Sequence, residues 1–86
     1  VDNTEEIVIS PNEYVFSARL EIDYLNEKYN FELPVSEEYE TLGGLIINYH
    51  ESIAEENEQI QIKHFTFTVI KASDNRIEEV KLYINS

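Results

Sequence analysis

Thr41, Gly43 and Gly44 are the residues whose types and spacing come nearest to chemistry in this chain. Leu42, Leu45, Ile46 and Tyr49 follow Thr41 at i, i+3, i+4 and i+7 spacing, which predicts a helix with one apolar face. Thr41 then stands at the N-cap, where its hydroxyl accepts a bond from a first-turn amide. A glycine in a helix costs roughly 1 kcal/mol relative to alanine. Two in one turn therefore predict that another backbone, or a ligand, comes very close. A helix N-terminus attracts anions, so the ligand reading of Thr41, Gly43 and Gly44 is the phosphate or pyrophosphate of a flavin or an adenine nucleotide. Against it, Glu37, Glu38 and Glu40 stand directly before the site, and Lys28 is the only base between Arg19 and Lys63. A Gly-Gly pair also falls short of a full dinucleotide fingerprint. The balance favours close backbone contact.

Other reactive side chains form no recognisable constellation. Glu37, Glu38 and Glu40, and Glu51, Glu55, Glu56 and Glu58, carry the oxygen ligands a hard cation takes, but no Asp-x-Asp-x-Asp-Gly loop frames them. These glutamates are expected to point into water. His50 and His64 have no i, i+4 pairing and no cysteine beside them, so no zinc site is expected. The serines lack a Gly-x-Ser-x-Gly context, and adjacent exposed glutamates rarely hold the shifted pKa that acid–base catalysis needs. No catalytic residue is assigned. Of the six tyrosines, Tyr29 and Tyr49 fall on predicted apolar faces and are expected in the core. Tyr24 and Tyr83 fall off them and are the candidates for a partner surface.

The elements that must position these residues form one small domain. The chain has 86 residues, 42% of them hydrophobic, with ten aromatic side chains to fill a core. No cysteine is present, so neither a disulfide nor a thiolate metal site enters the account. Eighteen acids against six bases give a net charge of −12, which opposes binding to nucleic acid and to anionic lipid. No apolar run approaches the roughly 18 residues that span a bilayer, so direct membrane insertion by this segment is not expected. The N-terminus is acidic and has no leader pattern. Because the chain begins at Val1, it is read as a piece of a longer protein or a processed product.

Residues 1–6 read as an acidic linker end, and residues 7–86 as the domain. Ile7–Ile9 and Tyr14–Leu20 are strand candidates joined by a Ser10-Pro11-Asn12-Glu13 turn. Ile22, Leu25 and Tyr29 mark an amphipathic helix over 21–30, with Asp23 early, Lys28 late and Asn30 as a left-handed cap. Phe31 to Pro34 is an extended connector. The second helix should end near Glu51 or Ser52, before a loop over 53–57. Gln59–Lys63, Phe65–Ile70 and Val80–Ile84 alternate as strands, with a turn at Ser73-Asp74-Asn75-Arg76. Ile77 is out of phase with Val80, Leu82 and Ile84, which predicts a bulge or a late strand start. The order β-β-α-α-β-β-β means α+β: a small antiparallel sheet of about five strands with two helices on one face.

Read in series, Ser17-Ala18-Arg19-Leu20, Leu25-Asn26-Glu27, Phe31-Glu32-Leu33-Pro34, Tyr39-Glu40-Thr41-Leu42-Gly43-Gly44-Leu45, Phe65-Thr66-Phe67-Thr68-Val69 and Arg76-Ile77-Glu78-Glu79-Val80 resemble the CorC/HlyC transporter-associated domain. The likeness runs from about Ile7 to Ile84. It implies a domain at the C-terminus of a membrane protein, behind a transmembrane domain and a pair of CBS nucleotide-sensing modules, on the cytoplasmic face. It implies a parent associated with magnesium and cobalt efflux, and a role in modulating ion transport. It also implies a fold similar to part of a flavin-binding domain of the vanillyl-alcohol oxidase type. The expected function is a non-catalytic regulatory module that docks to sibling domains or to a second copy. The alternative is a flavin or adenine-nucleotide binding module using Thr41 to Leu45. The family usually carries Ile-Pro and then Gly-Glu after the second helix, where this chain has Ile53-Ala54 and Asn57-Glu58. A common glycine before the central strand is replaced around Lys63-His64. These changes should loosen the loops and leave the core pattern intact.

Overall fold

The computed structural model describes residues 6–50, 55–73 and 76–85. Among these, the element order is β1 (Glu6–Ser10), β2 (Glu13–Ser17), α1 (Ile22–Tyr29), α2 (Leu42–His50), β3 (Gln59–Ile62), β4 (Phe65–Ser73) and β5 (Arg76–Ile84). The strands form one antiparallel sheet in the order β1-β2-β5-β4-β3. This is the expected α+β arrangement. The linker residues 1–5, Ile53-Ala54, the Asp74-Asn75 turn and the Glu51–Ser52 helix end lie outside the described residues. Glu6, read from sequence as linker, already belongs to β1 and pairs with Phe16.

Alternation along the strands turns one sheet face into the core. Tyr14 and Phe16 of β2, Ile60 and Ile62 of β3, Phe65, Phe67 and Val69 of β4, and Val80 and Leu82 of β5 are buried. Ile22 and Leu25 of α1, and Leu42, Leu45 and Ile46 of α2, close the same core. An aromatic cluster fills its centre: the Tyr29 ring lies 5.3 Å from that of Tyr14 and 5.5 Å from that of Phe16, and Phe31 bridges to Phe65 at 5.8 Å.

The long β4–β5 hairpin carries the irregularity that the phase of Ile77 predicts. Val69 faces Val80, Lys71 faces Glu79 and Ala72 faces Ile77. Ile70 is thus an extra residue on β4 and Glu78 an extra residue on β5. The second brings Ile77 back to the core side, where it is buried.

Strand β2 ends three residues earlier than its sequence suggests. Ser17, itself buried, accepts the Arg19 amide on its Oγ at 3.2 Å, and its carbonyl accepts the Leu20 amide at 3.1 Å. The hydroxyl thereby turns the chain toward α1. Asn30 caps α1 at φ 62°, as expected. Asn57 (φ 70°) and Lys63 (φ 55°) also sit in the left-handed region. These are the neighbourhoods where glycine is usual in the resembled family, so this chain keeps a glycine-like backbone there with side chains on it.

Candidate functional site

The two helices begin side by side. Glu21 and Thr41 form an antiparallel bridge, the Ile22 amide donates to the Glu40 carbonyl at 2.8 Å, and the Leu42 amide donates to the Leu20 carbonyl at 2.9 Å. The Gly43 amide donates to the Ala18 carbonyl at 2.9 Å, and the Gly44 amide to the Thr41 Oγ1 at 3.2 Å. Thr41 is therefore the helix cap that the sequence predicts. The amides of Leu42, Gly43 and Gly44, which an anion at the helix start would need, all have acceptors within the chain.

Ala18 explains the glycine. A Cβ at Gly43 would lie 2.9 Å from the Ala18 Cβ, closer than real Cβ atoms come, and 3.3 Å from the Ala18 carbonyl oxygen, which is a tight contact. At Gly44 the nearest atoms would be the Tyr39 Cβ at 3.0 Å and Thr41 Oγ1 at 3.4 Å. Ala18 is held in turn by its amide, which donates to the Glu78 carbonyl at 2.9 Å. The extra residue in β5 thus sits directly under the start of α2.

Beside this contact lies an open groove of about 420 Å³. Ala18, Ile47 and Ile77 form its floor with the glycine pair, and Arg19 and Arg76 line it. These are the only two arginines in the chain. No sequence signal links them, because the sheet brings the end of β2 against the start of β5 only after folding. A second groove of about 750 Å³ runs between the start of α1 and the 35–40 connector, lined by Glu21, Asp23, Glu37 and Glu40. Among the described residues, no three His, Asp or Glu side chains are grouped so as to hold a metal ion.

The candidate partner tyrosines are not brought together. Tyr83 is 41% exposed on the open face of the sheet, opposite Glu13 and Thr66. Tyr24 is 40% exposed on α1 and donates to Glu6 Oε1 at 2.8 Å. Glu6 also accepts from Lys28 Nζ and from the Tyr29 hydroxyl, each at 2.5 Å. The Lys28 bond, followed by that from Tyr29, holds the Glu6 carboxyl below its ordinary range. Burial, then the bond to Glu6, pushes the Tyr29 phenol up to about 12. Sequence gave no hint of this cluster, because β1 and α1 are adjacent only in space.

Tyr49, expected in the core, is 48% exposed; its end of α2 projects past the buried residues of the helix. Among the described residues, the glutamates expected to face water are exposed, apart from the half-buried Glu58, and three of them also bond within the chain. Glu38 accepts from Asn48 Nδ2 at 3.2 Å, Glu56 accepts the Ala72 amide at 3.3 Å, and Glu58 accepts the Glu55 amide at 2.9 Å. His50 pairs with Glu58. That bond raises the imidazole pKa, and the Glu55 amide, followed by His50, lowers that of Glu58. The exposed His64 ring lies 4.1 Å from the Phe65 ring. Asn26 is a role that sequence reading missed: its side chain donates to the Leu33 carbonyl at 3.1 Å and accepts the Leu33 amide at 3.0 Å, clamping the connector.

Edge strand β1 carries three consecutive exposed aliphatic residues among the described residues. Ile7, Val8 and Ile9 are 46%, 56% and 52% exposed. Ile7 pairs with Val15 on the open face, Val8 pairs with Tyr14 on the helix face, and Ile9 is an extra residue without a cross-strand partner in the register. Among the described residues, no helix is long and apolar enough to cross a membrane.

Comparison with known proteins places this geometry in a family. The family described as CorC_HlyC, transporter associated domain, matches residues 7–86. Hemolysin C of Brachyspira hyodysenteriae is 31% identical over 70 residues, which are 80% of this chain and 26% of that protein. The chain thus spans about a quarter of the length of that curated relative. A region described as associated with a Mg2+ and Co2+ transporter (CorC), from Neisseria meningitidis, has a TM-score of 0.83 at 28% identity, covering 96% of this chain and 99% of that one. The transporter associated domain of a CBS domain protein from Porphyromonas gingivalis has a TM-score of 0.79 at 20% identity, covering 94% and 98%. Together with the Thr41–Gly44 helix start and the β-β-α-α-β-β-β order, these matches identify the chain as a member of the CorC_HlyC transporter associated domain family.

Proposed function

We propose that this chain is a non-catalytic regulatory and interaction module of a membrane ion-transport protein of the magnesium and cobalt efflux type, acting at the cytoplasmic face. It works by docking to the CBS and transmembrane domains of the same parent, or to a second copy of itself, and so biases the transporter between states. The observation that carries this reading is the uncovered aliphatic edge of β1, where Ile7, Val8 and Ile9 all face solvent in a domain whose other aliphatic side chains are mostly buried. An edge strand offers unpaired backbone groups to a partner, and apolar side chains around it supply contact area. Support also comes from the family membership, from the greater length of the Hemolysin C relative and from the CBS domain parent of one structural neighbour. The Tyr24 hydroxyl bonds to Glu6 of this edge, while Tyr83 lies on the open face of β5, with β2 between it and β1. The flavin or adenine-nucleotide reading at Thr41 to Leu45 draws less support, since the first-turn amides already have acceptors.

The test uses the full-length parent carrying Ile7→Asp together with Ile9→Asp. Both side chains are exposed, so the isolated domain should melt within a few degrees of the unaltered one. Cross-linking between this domain and its siblings should fall, and the rate of Mg2+ efflux should change. Unchanged cross-linking and unchanged efflux would defeat the reading. Sedimentation of the 86-residue chain at several concentrations separates self-association from docking within the parent.

A further inference from the structure

We infer that the groove at Arg19 and Arg76 is a binding site for a small amphipathic anion: an apolar or planar body carrying a carboxylate or phosphate head. Its neighbour Gly43 is explained by Ala18, but the groove itself is not used by the fold. Both arginines of the chain line it, although they are distant in sequence. Both are exposed, and among the described residues neither guanidinium has an ion-pair or hydrogen-bond partner. Of the four lysines, Lys28 and Lys81 each take up a glutamate, at 2.5 Å and 2.8 Å, while Lys63 and Lys71, like the arginines, have none among the described residues.

The lining fits such a ligand. Ala18, Ile47 and Ile77 give an apolar floor with no carboxylate in its lining, and Arg19, Arg76 and Ile77 are shared with an adjoining groove that Lys71, Glu78 and Glu79 also line. Its volume of about 420 Å³ lies within the range of small-molecule sites. A guanidinium presents paired donors that match a carboxylate or a phosphate, and both arginines line this groove. The remainder of the ligand lies on the floor. The negative field of the rest of the surface limits entry to compact anions whose head reaches the arginines directly. The helix amides take no part, because Leu42, Gly43 and Gly44 donate within the chain. This inference is independent of the docking role assigned to β1.

The experiment is an amide-resolved NMR titration of the 86-residue chain with three probes: adenosine monophosphate, indole-3-acetate and inorganic phosphate. The expected result is saturable shifts at the amides of Arg19, Gly44, Ile47 and Ile77 with at least one of the two amphipathic probes, with a Kd below about 1 mM. Phosphate alone should bind at least tenfold more weakly, since it leaves the floor uncovered. A response to adenosine monophosphate alone marks a phosphate head, and a response to indole-3-acetate alone a carboxylate head; either supports the site. Arg19→Gln and Arg76→Gln should each weaken binding about tenfold without lowering the melting temperature, as both side chains are exposed. No saturable shift with either amphipathic probe at 10 mM overturns the proposal. So does equal binding by the variant lacking both arginines, or equal binding of phosphate alone.

Discussion

The start of helix α2 meets the turn after β2 through its backbone, with the Gly43 amide 2.9 Å from the Ala18 carbonyl and no room for a side chain between them. Helix α1 is tied at its far end through side chains, with Lys28, Tyr24 and Tyr29 all donating to Glu6 of β1. The first contact is fixed by shape and carries no charge. The second is part-exposed, charged and open to titration. A contact made by backbone and bare Cα atoms tolerates almost no change, because overfilling forces the surrounding chain to move. A partly solvated ion cluster yields more gently, because water replaces what is lost. The two attachments should therefore respond to different perturbations, the α2 start to volume and the α1 end to pH and salt.

Substitution at Gly43 is the strongest way to break the α2 attachment. Gly43→Val should cost about 3 kcal/mol in urea unfolding, at the upper end of overpacking effects. Gly44→Ala sharpens the contrast. There the added Cβ meets the Tyr39 side chain at 3.0 Å rather than a carbonyl, and the helical preference for alanine, about 1 kcal/mol, opposes the crowding. Its net effect should stay within about 1 kcal/mol of zero. Equal losses at both glycines would refute the assignment of Ala18 as the tight neighbour.

The α1 attachment should respond to Glu6→Gln by about 1 kcal/mol, measured at neutral pH and low salt. Its pH dependence has a defined direction. The folded-state pKa of Glu6 lies below the unfolded one, so its contribution is present above the unfolded value and is lost as pH falls through the folded one. Tyr29 acts at the other end. Its pKa is raised to about 12, so its contribution is complete below the unfolded value near 10 and disappears as pH rises toward 12. Gly43 variants should show neither dependence.

Lys63→Gly should stabilise the chain by about 0.5–1 kcal/mol, because Lys63 holds φ 55° and glycine adopts that conformation without steric cost. The smallest effect belongs to His50 and Glu58. The raised His50 pKa makes the pair's stabilisation complete below the unfolded imidazole value and lost as pH rises through the folded one. The lowered Glu58 pKa removes it again as pH falls through the folded carboxyl value. His50→Gln should flatten this shallow maximum in a plot of melting temperature against pH.

The elements whose order comes from local rules were legible. Leu42, Leu45 and Ile46 announced α2, Asn30 announced the end of α1, and the alternation of Phe65, Phe67 and Val69 announced β4. Even the odd phase of Ile77 pointed to a real irregularity. Tyr49 was misplaced because periodicity gives a direction around the helix axis, not whether neighbouring structure covers that level of the helix. Leu20 was read into β2 because the turn-forming role of Ser17 depends on its burial. Thr41 was legible as a cap, and the glycine pair as a close approach, but the neighbour was not, since Ala18 arrives through the sheet. The meeting of Arg19 with Arg76, and of Glu6 with Lys28, depends on strand order, which no local pattern encodes.

The hairpin of β4 and β5 behaves like a reading frame with two compensating insertions. Ile70 advances one strand by a single residue and Glu78 advances the other, so that Ala72 faces Ile77 as though neither were there. Removing one of the two would turn the tip of the hairpin over and carry the Glu78–Ala18 bond, and with it the seat of Gly43, out of place. Removing both would restore the alignment. In this chain a length change in the hairpin is therefore expected to be tolerated as a matched pair, whereas one alone would force the start of α2 to rebuild.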